Sequence, residues 1–104
     1  MWYRDDMNTL DMHREASKEL AKLPQSVQDA FEVVEATLFV DVYATGIARK
    51  RESGWGKRTV LVAESRAKTT FRIAWEVLAG DEAIIWAYGP HEGFYARLAR
   101  RARK

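Results

Sequence analysis

The sequence predicts an α+β domain, in which two N-terminal helices pack on a small, mainly antiparallel sheet of about four strands and a short C-terminal helix follows. Three features predict this class. The chain has 104 residues, 47% of them hydrophobic, which is enough for one domain with a buried core. Apolar residues recur at helical spacing in the first 40 residues and at strand spacing after residue 57. No linker, repeat or low-complexity tract interrupts residues 1–104, so we expect a single domain.

The N-terminal part is expected to form one strand and two helices. Residues 7–12 have the length of a short strand. Residues 14–23 follow as a helix, because their apolar side chains recur at i, i+4 and i+7. Pro24 ends this helix, since proline disfavours helical geometry in the residue before it. The second helix continues to about Leu38, and it starts either at Pro24, in its first turn, or at Ser26, as its cap.

The middle of the chain gives weaker signals. Residues 39–43 either extend the second helix or form a short strand, and the pattern leaves both open. Residues 44–56 place three glycines among basic residues, which is typical of an exposed loop. Residues 57–63 are predicted to be a strand, and residues 64–68 a polar turn.

A hairpin dominates the C-terminal part. Residues 69–78 alternate apolar and other side chains, with the period of two that defines a strand. Gly80 supplies a turn because glycine tolerates positive φ. Residues 83–88 are apolar throughout, which favours a strand buried on both faces, and the Gly-Pro pair that follows is expected to end the sheet. Residues 94–103 are predicted to form a short basic helix.

Composition excludes several classes of protein. The chain has no cysteine, so disulfides and thiol chemistry are absent, which fits a reducing cytoplasm. No apolar run of about 18 residues predicts a membrane span, and the first residues lack the layout of a signal peptide. No zinc-ligand spacing, phosphate loop, dinucleotide turn or serine elbow is present. An enzyme with this sequence is therefore expected to work without a metal or small-molecule cofactor.

Positive charge is concentrated in one stretch of the chain. Residues 1–45 contain four Lys and Arg against nine Asp and Glu, whereas residues 46–72 contain eight against two. Each cation could be an ordinary solvated side chain. Segregated positive charge nevertheless attracts polyanions, so the distribution favours RNA or an acidic protein as the partner.

Three segments together resemble the RelE/ParE toxin superfamily. Residues 16–27 (ASKELAKLPQSV) are similar to the family's first helix and the corner after it. Residues 71–75 (FRIAW) resemble its arginine-bearing strand, and residues 89–95 (GPHEGFY) resemble its C-terminal motif. The similarity runs in the family's order over residues 10–95. It implies a RelE-like α+β fold. The basic hairpin of this chain, however, differs in length from that of the family.

This resemblance implies the toxin of a type II toxin–antitoxin system. The expected activity is ribosome-dependent mRNA cleavage, in which the 2′-hydroxyl attacks the adjacent phosphate without a metal ion. The expected partners are a cognate antitoxin protein, the ribosome and mRNA, with no membrane. Two alternatives remain open: a ParE-like inhibitor of DNA gyrase, and a non-catalytic binding module of the same fold.

The resemblance also assigns roles to residues. Arg72 matches the strand arginine and is expected to clamp phosphate, whose oxygens fit its planar fork. His91 matches the site after the last strand and is assigned as general acid, since histidine titrates near neutrality. Tyr95 closes the motif and is expected to position RNA or to assist proton transfer. RNA-binding residues are predicted to be Lys57, Arg58, Arg66 and Lys68. The general base is not fixed, and Glu52 and Glu64 are the candidates.

Each assignment has a structural alternative. Arg72 could form an ion pair with Glu64 or Glu76, and His91 could be an ordinary loop residue. Tyr95 could pack its ring against the terminal helix. The remaining residues of interest are expected to be structural: His13 at a strand–helix junction, Trp55 covering the first hairpin in preference to stacking on RNA, and Trp75 and Trp86 in the core.

Overall fold

The fold consists of five strands and three helices. The computed structural model describes residues 9–66 and 70–103. Within them, the elements in chain order are β1 (Thr9–Met12), α1 (Arg14–Ala21), α2 (Gln25–Val40), β2 (Arg49–Arg51), β3 (Thr59–Arg66), β4 (Thr70–Leu78), β5 (Glu82–Pro90) and α3 (Phe94–Ala102).

The strands form one sheet in the order β1-β5-β4-β3-β2. Strand β1 pairs with β5 in parallel, and all other pairs are antiparallel. The predicted α+β class is therefore confirmed, with one correction to the strand count. A fifth strand, Arg49–Arg51, lies at the sheet edge within the stretch predicted to be a loop. All three of its side chains are exposed, so it has no apolar alternation that sequence could reveal.

Helices α1 and α2 cover one face of the sheet, as predicted. The core between them includes side chains that are fully or almost fully buried: Ala16, Phe31, Leu38, Ile73, Trp75, Ile85 and Tyr88. The indole of Trp75 donates to the carbonyl of Val42, at 2.8 Å, so its polar atom is satisfied inside the core. Burying large apolar side chains on this face provides most of the driving force for folding.

Helix α3 covers part of the opposite face. Phe94, Leu98 and Ala102 are buried there against Val62 and Ala74 of the sheet, together with Trp55 and Ala87. Side chains of β3 and β4 thus alternate between two covered faces. The face that α3 covers is the one that also carries Arg72, since Arg72 and Ala74 are two residues apart on β4.

The structure decides where the first two helices begin and end, which the sequence had left open. Helix α1 ends at Ala21, two residues before the predicted end, although Leu23 is buried as expected. Helix α2 begins at Gln25 after Pro24, so the proline and not Ser26 marks its start. It continues to Val40, and residues 39 and 40 are therefore helical.

The β4–β5 hairpin has the predicted turn. Gly80 has φ of 72°, and Asp81 follows with φ of 59°. The sheet does not stop at the Gly-Pro pair, because β5 extends through Pro90, which pairs with Phe71. The partner strand β1 pairs with β5 only as far as Ile85, so Pro90 lies where β5 is an edge strand. Proline is tolerated at an edge because the missing N–H is not needed for a second neighbour.

Side chains close the β5 edge beyond the end of β1. The Tyr88 amide donates to the Glu19 carboxylate at 3.2 Å, and Arg101 donates to the carbonyl of Trp86 at 2.9 Å. Arg97 and Arg101 both donate to Glu19. Burial opposes the charged form of Glu19, but the hydrogen bonds from Arg101 and Tyr88 outweigh it and lower the pKa of that carboxyl. Helices α1 and α3 are thereby linked across an edge that would otherwise offer unpaired backbone groups.

Candidate active site

An open cavity of about 500 Å³ lies over β2, β3 and β4, beside the start of α3. It is on the sheet face that α3 covers only in part. Its lining includes Lys50, Val62, Glu64, Arg72 and Tyr95. Two of the three residues predicted to be catalytic therefore line one cavity.

Arg72 lies in the floor of this cavity. The strand register places it opposite Glu64 on β3 and opposite Gly89 on β5. Its guanidinium is 2.6 Å from the Glu64 carboxylate, and only 13% of the side chain is exposed. Its Nε and Nη1 atoms are buried and have no hydrogen-bond partner among the described residues. The predicted alternative, an ion pair with Glu64, is thus present. The two unpartnered donor atoms could reach an anion only after the Arg72 side chain moves, because both are buried.

Tyr95 connects Arg72 to His91. The Arg72 guanidinium carbon is 5.7 Å from the centre of the Tyr95 ring, within the range of a cation–π contact. The His91 ring centre is 6.4 Å from that of Tyr95, in an edge-to-face arrangement. Tyr95 also contacts Phe94 edge-to-face, so its ring packs on α3 as the structural alternative predicted, while 36% of the residue stays exposed.

The loop between β5 and α3 sets the position of the imidazole. His91 follows the end of β5, and its carbonyl accepts a hydrogen bond from the amide of Phe94. Gly93 precedes the helix with φ of 71°, a left-handed geometry that glycine adopts without strain. This tight turn brings His91 and Tyr95 onto the same side. The imidazole is exposed to solvent and therefore accessible to a ligand.

Two of the predicted RNA-binding cations, Lys57 and Arg58, do not line this cavity. Lys57 is exposed in the turn before β3. Arg58 donates two hydrogen bonds to Glu76, at 2.7 and 2.9 Å. Arg66 is the last residue of β3, and Lys68 lies outside the described residues.

Arg58 belongs to a second cluster at the other end of β3. Glu76 is buried and also accepts from the Trp86 indole at 3.1 Å. The hydrogen bonds from Arg58 lower the pKa of the Glu76 carboxyl, against the opposing effect of burial. Trp55 is buried beside this pair, with the guanidinium carbons of Arg58 and Arg103 at 5.1 and 4.0 Å from its ring. Trp55 thus covers the hairpin, as expected.

The two candidate bases occupy different places. Glu64 lines the cavity beside Arg72. Glu52 is near Trp55 and Arg58 in a separate hollow of about 290 Å³. Only Glu64 is therefore adjacent to the predicted phosphate clamp.

Two cations of the cavity, Arg49 and Lys50, were not among the predicted site residues. Lys50 lies on β2, and its side chain is 79% exposed. The excess of positive charge in residues 46–72 was the available signal, since Lys50 contributes to it. The signal could not select Lys50 over its neighbours without the pairing of β2 to β3.

The described residues contain neither a cluster of metal ligands nor a membrane-spanning helix. Within residues 9–66 and 70–103, no group of three or more His, Cys, Asp and Glu side chains could hold a metal ion. No helix in the same ranges is long and apolar enough to cross a membrane.

Known structures identify the architecture. No protein-family model and no curated protein matches the chain. The E. coli toxin RelE, solved as a mutant in the free state, superposes with a TM-score of 0.70 at 15% identity, over 93% of this chain and 95% of that one. RelE of Pyrococcus horikoshii OT3, solved as a RelE–RelB complex, gives a TM-score of 0.62 at 18% identity, over 82% and 96%. The predicted fold is confirmed: this chain has the RelE toxin fold.

Proposed function

We propose that this protein is a RelE-like toxin that cleaves mRNA on the ribosome, and that Arg72, His91 and Tyr95 act together on one phosphodiester. The observation that carries the proposal is the contact series from Glu64 through Arg72 and Tyr95 to His91 on one accessible face of a RelE fold. The reaction needs a proton acceptor, a proton donor and fixed positive charge. These four residues contain all three kinds of group.

Each group has a defined part in the proposed reaction. The Glu64 carboxylate takes the proton from the 2′-hydroxyl, whose oxygen attacks the adjacent phosphorus and forms a cyclic phosphate. Arg72 moves so that its buried, unpartnered Nε and Nη1 bind the non-bridging oxygens as negative charge develops on them. His91 donates its proton to the departing 5′-oxygen. Protons balance because Glu64 gains one and His91 loses one.

Tyr95 is proposed to position the substrate. Its ring already lies near the Arg72 guanidinium, and its exposed part is available to a base. Aromatic rings stack on unpaired RNA bases with little dependence on sequence. Stacking at this site would hold the scissile phosphate above Arg72.

The ribosome and a protein inhibitor are the proposed partners. The cavity is open to solvent, so an RNA strand bound there stays partly exposed. A ribosome that presents mRNA in a fixed conformation would supply the missing positioning. The crystallised RelE–RelB pair from Pyrococcus supports a partner protein for this chain as well. We propose an antitoxin that blocks access to the cavity.

Induction in bacteria tests the proposed activity against its main rival. The chain should halt translation and leave mRNA cut within coding regions, while plasmid supercoiling stays normal. Intact mRNA with altered supercoiling would instead identify a ParE-like gyrase inhibitor. Normal growth with intact mRNA and unchanged supercoiling would instead indicate a non-catalytic binding module of the same fold. A variant with Arg72→Ala provides the control, since it should restore growth at equal protein levels.

A further inference from the structure

Two cations besides Arg72 line the cavity, Arg49 and Lys50, and Lys50 is the one on the same sheet face as Arg72. Lys50 on β2 pairs with Val62 on β3. Two residues further along β3, Glu64 pairs with Arg72 on β4. Paired residues point to the same face, as do residues two apart on a strand. Lys50, Glu64 and Arg72 therefore share one face. Strand spacing places the Cα atoms of Lys50 and Arg72 about 12 Å apart.

The two cations differ in depth and in pairing. Arg72 is 13% exposed and forms its ion pair with Glu64 at 2.6 Å. Lys50 is 79% exposed, and its nearest carboxylate, Glu52, is 3.9 Å away. The distance is beyond that of a hydrogen bond, so the pair contributes little even though the Glu52 side chain is only 15% exposed. Glu64 thus offsets part of the charge of Arg72, whereas the ammonium of Lys50 at the rim keeps its charge for a ligand.

The size and lining of the cavity fit more than one phosphate. Its volume of about 500 Å³ is within the range of pockets that hold whole small molecules. Val62 and Ala48 give it an apolar part between the two cations. An RNA strand offers the same arrangement, since charged phosphates alternate with apolar sugar and base surfaces.

We propose that Lys50 binds the phosphate next to the one held at Arg72, so that the cavity takes two consecutive phosphates of single-stranded RNA. This inference rests on the proposed function for the identity of the ligand. It assigns the exposed edge strand β2 as part of the RNA path. Of the three exposed basic side chains of Arg49–Arg51, it gives a role to Lys50, because neighbouring residues of a strand point to opposite faces.

Salt-dependent binding of a 2′-O-methyl RNA oligomer, which cannot be cleaved, tests the inference on the full chain. Each phosphate contact on a single strand contributes about 0.7 to the slope of log K against log salt. Lys50→Ala should reduce the magnitude of that slope by about 0.7 and weaken binding most at low salt. Lys50→Arg should restore both, because a cation at the same position rescues a phosphate contact but not a merely structural role. Lys22→Ala, at an exposed lysine after α1, is the matched control and should keep the wild-type slope.

The outcomes separate this inference from the proposed function. A wild-type slope in Lys50→Ala, or no RNA binding by the wild type at low salt, would overturn the second phosphate position. If Lys50→Ala reduces the slope but the wild type leaves mRNA intact in cells, the second phosphate position is supported and the proposed nuclease activity is refuted. The two proposals therefore fail by different measurements.

Discussion

The carboxylate of Glu64 lies 2.6 Å from the guanidinium of Arg72, and the two residues face each other across β3 and β4. The pair sits in the floor of the cavity, where an attacking hydroxyl could reach the carboxylate and a phosphate could reach the guanidinium. Glu64→Gln keeps the size of the side chain and removes its ability to accept a proton. We expect ribosome-dependent cleavage to fall about 10²-fold or more, measured in single-turnover experiments.

The Glu64 prediction has a matched control. Glu52→Gln changes the other candidate base, which lies in a separate hollow, and should leave the cleavage rate within about twofold of wild type. Circular dichroism should show both variants folded. Equal rates for Glu64→Gln and wild type would remove Glu64 from the mechanism.

His91 is predicted to be the proton donor. Replacing it with Gln preserves a hydrogen-bonding side chain but removes the imidazole that would donate the proton, so the rate should fall about 10²-fold or more. The chain has only one other histidine, His13, which makes a natural control. Its ring nitrogen accepts from the amide of Glu15 and caps α1, and Asn is also a good cap, so His13→Asn should stay folded and active. A His91→Gln enzyme as fast as His13→Asn would contradict the assignment.

Two substitutions of Tyr95 separate the contribution of its aromatic ring from that of its hydroxyl group. The proposed role is stacking and support of Arg72, so Tyr95→Phe should keep most of the activity. Tyr95→Ala removes the ring and should weaken RNA binding by about 10-fold, consistent with roughly 1–3 kcal/mol per stacked base. Loss of activity in Tyr95→Phe would show instead that the phenol hydroxyl takes part in the chemistry.

The Arg58–Glu76 pair predicts a pH dependence of stability. The folded pKa of Glu76 lies below its ordinary value of 4.5, so the charged carboxylate stabilises the fold fully above that value. Its contribution is lost as pH falls through the lowered folded pKa. Glu76→Gln should lower the free energy of unfolding by about 2 kcal/mol at pH 7, since it loses hydrogen bonds to a charged group.

Urea unfolding at pH 7 and at about pH 3 measures this effect. The difference between wild type and Glu76→Gln should shrink at the lower pH. At about pH 3 the carboxyl is protonated in the unfolded chain, whose pKa is the ordinary 4.5, whereas the lowered pKa opposes its protonation in the folded protein. A difference that stays constant with pH would mean that the charge of Glu76 does not stabilise the fold.

Sequence predicted the parts of the fold that have a strong period. Residues 71–77 alternate because one face packs on α1 and α2, and the two N-terminal helices have apolar faces for the same reason. Edge strand β2 was missed because an exposed strand needs no apolar side chains. Lys50 was missed for the same reason: its place in the cavity follows from the pairing of β2 with β3, which its own side chain does not reveal.

The candidate site was predictable only in part. Arg72, His91 and Tyr95 could be named from the family resemblance. Arg72 and Tyr95 line one cavity, and the His91 ring centre is 6.4 Å from that of Tyr95. Choosing Glu64 over Glu52 required the β3–β4 register. The sequence did not give this register, because the hairpin differs in length from that of the family. The pairing of Arg58 with buried Glu76 was also hidden, because those two residues are 18 positions apart in sequence.

Cleavage of a defined mRNA on purified, programmed ribosomes tests the central claim most directly. The claim is that the Arg72 guanidinium stabilises charge on the scissile phosphate. Wild type should cut within the ribosome-bound codon, and Arg72→Ala should lose at least about 10²-fold in rate, while Arg14→Ala, at an exposed arginine of α1, should match wild type. Undiminished cleavage by a folded Arg72→Ala variant, or no cleavage by the wild type, would contradict the account.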